Sequence, residues 1–189
     1  MRQIPLQHDP VGALGPQFAV FFEEQHRRWL PFALDRLGNK ADAQDAVQNT
    51  GAKLFEKWDV ALGLPSPEAI QAFAWKILRD EIANLHRSRR RQDEKAVHLA
   101  RQPRPDTTGH EAMDQLVELD ALRWAIDELA KTHPVQAEVV RLRRHEMDYA
   151  QIGAVLDIAQ STAKTYYSLA TRHLEHLLTT LQDDEQQGN

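Results

Sequence analysis

The sequence predicts an all-α protein of two small helical domains joined by a flexible linker, and three observations carry that reading. Apolar residues recur at three- and four-residue spacing along most of the chain, and no segment reads as a strand. Gly and Pro are few, 8 and 9 among 189 residues, and fall mostly between the periodic segments. Composition also changes at Gln92: the stretch from Asp93 to His110 carries Pro103, Pro105, Thr107, Thr108 and Gly109 with little sustained periodicity.

Residues 1–16, with Pro5, Pro10, Pro16, Gly12 and Gly15, are expected to form a loose arm. From about Phe18 to Leu37, the positions Phe18, Phe21, Phe22, Trp29, Phe32, Ala33 and Leu37 keep helical spacing. Pro31 inside this pattern predicts a kink or a split, and Gly38-Asn39 predicts its end. A second helix is expected from about Lys40 to Lys57, burying Ala43, Ala46, Val47, Leu54 and Phe55. The stretch from Ala61 to Pro67 should stop it. Ser66 before Pro67 is a helix-start signal, and the third helix should run to about Arg90, with Ile70, Phe73, Ala74, Ile77, Leu78 and Ile82 inward. Beyond the linker, helices are expected at about Glu111–Ala130, Pro134–Arg144, Tyr149–Leu156 and Ser161–Leu181.

The C-terminal segment DYAQIGAVLDIAQSTAKTYYSLATRHL carries the strongest local signal. Asp148 with Gln151 three positions later resembles a capping box, and Ile152, Val155 and Leu156 supply a buried face. Asp157 falls at a sharp turn, where Asp tolerates left-handed geometry. The next helix offers Gln160, Ser161, Thr162, Lys164, Thr165, Tyr167, Ser168 and Arg172, with Ala163, Tyr166, Leu169 and Ala170 available for packing. In a helix-turn-helix, such a second helix enters the major groove and brings hydroxyl and ammonium groups to base edges and phosphates. A plain helical hairpin with a solvated polar face is the alternative.

The segment FAWKILRDEIANLHRSRRR places Trp75, Lys76, Arg79, Asn84, Arg87, Arg89, Arg90 and Arg91 on one helix. Its basic end can hold a nucleic-acid backbone while flat and polar side chains meet exposed bases. Trp75 suits either stacking on a base or a place in the core. The arginine cluster suits either phosphates or a solvated helix terminus favoured by the dipole. Arg141, Arg143 and Arg144 form a second, smaller basic cluster.

Both halves, in this order, resemble the extracytoplasmic-function (ECF) sigma factors of bacterial RNA polymerase, from about residue 17 to about 180. Asp42-Ala43-Gln44-Asp45-Ala46-Val47-Gln48 is similar to the family's Ala-Glu-Asp-x-x-Gln stretch, which docks on polymerase. Phe73-Ala74-x-x-Ile77-Leu78-x-Asp80-x-x-x-Asn84-x-x-Arg87 is similar to its Trp-Leu-x-x-Ile-Ala-x-Asn-x-x-x-Asp-x-x-Arg. Thr162-Ala163-Lys164-Thr165 stands in place of Thr-Val-Lys-Ser.

The resemblance implies a sigma-2-like domain over 17–92, a linker over 93–112, a sigma-4-like helix-turn-helix domain over 113–181 and a tail over 182–189. It implies that Asp45, Gln48 and Asn49 bind polymerase core. Trp75, Lys76, Asp80, Asn84, Arg87, Arg89, Arg90 and Arg91 would meet the -10 element. Gln160, Ser161, Thr162, Lys164, Thr165, Tyr167, Ser168 and Arg172 would meet the -35 element. Core polymerase and promoter DNA are the implied partners, and an anti-sigma factor is a partner the family allows.

The departures fall at definite places. Asp80 and Asn84 exchange the usual Asn and Asp, and Gly51 replaces an expected Phe, where a mid-helix Gly costs about 1 kcal/mol relative to Ala. Ala159 replaces a Ser cap, a loss of roughly 0.5–2 kcal/mol. Tyr166 and Leu169 stand where Arg is frequent.

Composition narrows the alternatives. The net charge of -5 argues against general nucleic-acid affinity, so local basic patches would bind DNA in company with a larger partner. The absence of cysteine removes disulfides and thiolate chemistry. No apolar run approaches the length of about 20 residues that spans a bilayer, and the N-terminus lacks a secretory core, so a cytoplasmic location is expected and no membrane insertion. The histidines are dispersed, with His173 and His176 read as a surface pair. No phosphate-binding loop, metal-ligand framework or catalytic constellation is seen, so no enzyme activity, cofactor or metal is expected. An ordinary helix-turn-helix regulator, and an adaptor with a sigma-like scaffold that has lost promoter reading, are the competing functions.

Overall fold

In a computed structural model the described residues, 10–97 and 113–187, are helical with short connections, and no strand occurs among them. The chain divides into two compact units, Met1–Gln92 and Asp93–Asn189. Residues 1–9 of the expected arm, 98–112 of the expected linker and 188–189 of the expected tail lie outside the described residues.

The first unit begins with α1 (Pro10–Leu37), which holds both Pro16 and Pro31. Residues 10–16, expected in a loose arm, are part of this helix, and Pro31 does not split it. Trp29, Phe32 and Ala33, all fully buried, pin the helix to the core on both sides of the proline. Gly38, at φ 64°, ends α1 in the left-handed conformation that glycine adopts without steric cost. Asn39 then caps α2 (Lys40–Glu56), its side chain accepting from the Ala41 and Asp42 amides. Ala43, Ala46, Val47 and Leu54 are buried as expected, but Phe55 is 45% exposed.

A short helix, α3 (Trp58–Leu62), follows where no separate helix was expected. Trp58 and Ala61 bury its inner side. In α4 (Pro67–Val97) Ser66 caps the start, its Oγ accepting from the Ala69 amide at 3.2 Å. The same hydroxyl holds the Glu68 carboxyl below its ordinary range. The helix continues past the composition change at Gln92, so the opening residues of the expected linker, 93–97, belong to it. The core of this unit is aromatic. Trp75 meets Trp29 and Phe32 edge-on, with centroids 6.5 and 5.1 Å apart, and Trp29 meets Phe22 at 5.9 Å.

Gly51, where the resemblance led to an expected Phe, has a local setting. A Cβ there would lie 2.5 Å from Cε2 of the Phe22 ring, so the ring fills the space beside Gly51 and a larger residue would have to displace it.

The second unit comprises α5 (Met113–Thr132), α6 (Pro134–Arg144), α7 (Tyr149–Leu156) and α8 (Gln160–Gln187). Its core joins Ala125, Ile126 and Leu129 of α5 to Ala137 and Val140 of α6 and to Ala170 and Leu174 of α8. Residues 182–187, expected in the tail, continue α8.

Arg141 corrects the expectation of a second basic patch. It is buried, ion-paired with Asp127 at 2.5 Å and with Glu138 at 3.7 Å. Arg143 donates to the Met147 carbonyl and lies over the Tyr149 ring, so much of that cluster braces the fold.

Candidate functional site

The connection from α7 to α8 is a helix-turn-helix built by identifiable residues. Asp148 Oδ1 accepts from the Gln151 amide at 2.8 Å, and Gln151 Oε1 accepts from the Asp148 amide at 3.1 Å. That is the capping box the sequence suggests. Asp157 adopts the left-handed conformation at φ 59°, ψ 45°, and its N–H bonds to the Gly153 carbonyl, as does that of Ile158 at 2.9 Å. Gly153 itself went unremarked in the sequence. A Cβ on it would lie 2.7 Å from the Ile158 carbonyl oxygen, so the turn folds back directly over this glycine.

Beyond the turn, Ala163, Ala170 and Leu174 bury one side of α8. Gln160, Ser161, Lys164, Thr165, Ser168 and Arg172 are all exposed. At about 100° per residue, these positions span about 140° of the helix circumference, a single polar face. Thr165 Oγ1 donates back to the Ser161 carbonyl at 3.0 Å. Two expected members of the face sit elsewhere. Tyr167 is half-buried against the unit's core and the Tyr149 ring, and Thr162 is half-buried. Leu169, expected to pack, is 37% exposed.

On α4, Lys76, Asp80, Asn84, Arg87 and Arg91 follow spacings of three and four and fall within about 80° of one another. Asp80, Asn84, Arg87 and Arg91 are exposed and Lys76 half-buried. Two other expected members do not lie on this face. Trp75 is fully buried between Trp29 and Phe32, which leaves it no ring face for a base. Arg89 lies on the opposite side of the helix from Arg87 and Arg91. It is ion-paired with Asp42 and donates to the Leu37 carbonyl, tying α4 to the α1–α2 corner. The Arg90 side chain lies outside the described residues.

The α4 face is internally connected. Asn84 Oδ1 accepts from Arg87 at 2.5 Å, and Asn84 Nδ2 donates to Glu81 Oε1 at 3.3 Å. Glu81 also accepts from Lys53 Nζ of α2 at 2.5 Å. This hydrogen bond, with the attraction of the Glu81 charge, raises the Lys53 ammonium above its ordinary range. Glu81 and Lys53 were not anticipated from the sequence. On the outer side of α2, Asp45, Gln48 and Asn49 are exposed together, while Asp42 is engaged with Arg89.

Among the described residues, no group of three or more His, Asp or Glu side chains is placed to hold a metal ion. No described helix is long and apolar enough to cross a membrane.

No family model matches the chain, and no curated protein matches it. Among solved structures, it is similar to the sigma factor RpoE, in a co-crystal structure with the anti-sigma factor NepR from Bartonella quintana, at a TM-score of 0.56. The match covers 84% of this chain and 96% of that one. The all-helical fold is that of a sigma factor. Sequence identity is 22%, so the likeness is one of fold, and the sigma-like fold is the frame in which the polar faces of α2, α4 and α8 are set.

Proposed function

We propose that this protein is a sigma factor of the ECF type, which directs RNA polymerase core to promoters and helps open the -10 region. The observation that supports this reading best is a sigma-factor fold over 84% of the chain that turns three separate polar faces outward. The α2 face of Asp45, Gln48 and Asn49 would dock on polymerase core. The α8 face of Gln160, Ser161, Lys164, Thr165, Ser168 and Arg172 would lie in the major groove of the -35 element. The α4 face would take an unstacked base and neighbouring phosphates of the -10 element.

In this proposal residues 17–92 act as the sigma-2-like domain, 113–181 as the sigma-4-like domain, and 93–112 join them. Linking two weak DNA-reading modules raises the effective concentration at the second site, so neither needs high affinity alone. Extruding a base costs a few kcal/mol, and contacts on the α4 face would offset that cost. The protein would work in the cytoplasm without catalytic chemistry of its own. The RpoE structure holds an anti-sigma factor, and an anti-sigma protein is by that likeness a proposed partner here.

In vitro transcription tests this function. Purified core polymerase with this protein, given fragmented genomic DNA, should produce discrete promoter-initiated transcripts that core alone does not. Absence of any such transcript, with active core and folded protein, overturns the proposal.

A further inference from the structure

Glu81 is a carboxylate in an unusual place, 6% exposed on a helix whose neighbouring face is polar and open. A buried carboxylate requires partners to offset its desolvation. Among the described residues its partners are Lys53 from α2 and Asn84 from α4. The chain of contacts continues from Asn84 Oδ1 to the Arg87 guanidinium. Asn84 is therefore clamped at both ends of its amide.

That clamp has a direction. Flipping the Asn84 amide would set its oxygen against the Glu81 carboxylate, two acceptors together. It would also set its NH2 against the Arg87 guanidinium, two donors together. The observed orientation is the one that satisfies both neighbours. A primary amide offers two N–H donors and two acceptor positions on oxygen, so one of each remains for an outside group. Those two remain in a fixed order.

The order matters to a nucleobase. The Watson–Crick edges of adenine and cytosine pair an amino donor with a ring-nitrogen acceptor. Those of guanine and thymine pair a keto acceptor with a ring N–H donor. An amide free to flip satisfies either class, whereas an amide of fixed orientation, meeting a base held in one pose, satisfies one and opposes the other. We infer that Glu81, itself held by Lys53, is a positioning residue that fixes the Asn84 amide and so makes this site distinguish amino from keto bases in single-stranded DNA. This inference rests on the proposed sigma function and adds a specificity determinant to it. Glu81 need not touch the base.

The test uses the full chain bound to polymerase core. The probe is a fork-junction DNA pool whose single-stranded non-template overhang is randomised, with bound molecules recovered and sequenced. Wild-type holoenzyme should enrich a motif with an amino-against-keto preference at one position. Glu81→Leu keeps a side chain of similar size in the buried place but removes the acceptor that Lys53 and Asn84 share, so nothing fixes the Asn84 amide from that side. It should lower that single preference by about tenfold, the scale of one hydrogen-bonded base discrimination, leaving other positions and core binding unchanged.

Lys53→Met, which removes the cation holding Glu81, should loosen the same position and serves if Glu81→Leu melts early. Thermal melting and core retention run alongside, because a merely structural role would move those and not one position of a motif. Variants that fold, bind core and select the wild-type motif at full depth overturn the positioning role while leaving the sigma function standing. Wild-type holoenzyme that enriches no motif overturns both.

Discussion

The Lys164, Ser168 and Arg172 side chains on α8 make no hydrogen bond or ion pair to any described residue, whereas Asn84 and Arg87 on α4 are hydrogen-bonded to each other and, through Glu81 and Lys53, to α2. One surface is a row of independent groups on a helix whose angle is set by the turn at Asp157. The other is a braced network over an aromatic core. The difference follows from what each surface is proposed to meet. A duplex presents ordered edges in its groove, and adaptable side chains can reach them. A base taken out of its stack has no such order of its own, so the protein must supply it.

Substitutions can break this contrast in order of expected effect. Trp75→Ala should cost the first unit about 3–5 kcal/mol, as expected when a fully buried aromatic is removed, seen as a large fall in its melting temperature. Small effects on stability with a loss of DNA binding would instead return Trp75 to the surface. Gly153→Val should cost the second unit about 1–3 kcal/mol, because the added carbons meet the Ile158 carbonyl and the turn must open. The second unit's melting transition reports it.

Ser66→Ala should cost about 1 kcal/mol through the lost cap of α4, measured by denaturant titration. The same variant should flatten the acid limb of stability. Glu68 is held below its ordinary range by the Ser66 hydroxyl, so its contribution is present above that range and lost as pH falls through the lowered value. Lys164→Ala should leave stability unchanged. Its signature is a lower slope of log affinity against log salt in promoter binding, by about 0.9 for one phosphate contact. Arg89→Ala should behave in the opposite way, lowering stability because its Asp42 tie is lost while leaving the salt slope intact.

Much of the fold was legible because strong local chemistry marks it. Pro134 opens α6, and the Asp148–Gln151 box and Asp157 bound α7 at the expected residues. The five residues of α3 were not legible, since one short turn has no periodicity to show. Direction was the harder part of the candidate sites. A run such as Arg87 to Arg91 announces positive charge but not which members meet the rest of the fold, and consecutive residues turn by about 100°. Arg89 therefore braces α4 while Arg87 and Arg91 face outward, and Arg141 is buried beside Asp127 and Glu138. Gly51, a departure from the pattern the sequence resembles, stands against the Phe22 ring, a contact that no local signal announces. Glu81 carried no sequence signal, because its role depends on Lys53, distant in the chain.

The most direct test of the account is retention of the purified protein by bacterial RNA polymerase core, beside an Asp45→Ala, Gln48→Ala double variant whose side chains are exposed on α2. The account predicts stoichiometric retention of the wild type and clear loss in the folded variant. Failure of the folded wild type to bind core would contradict it.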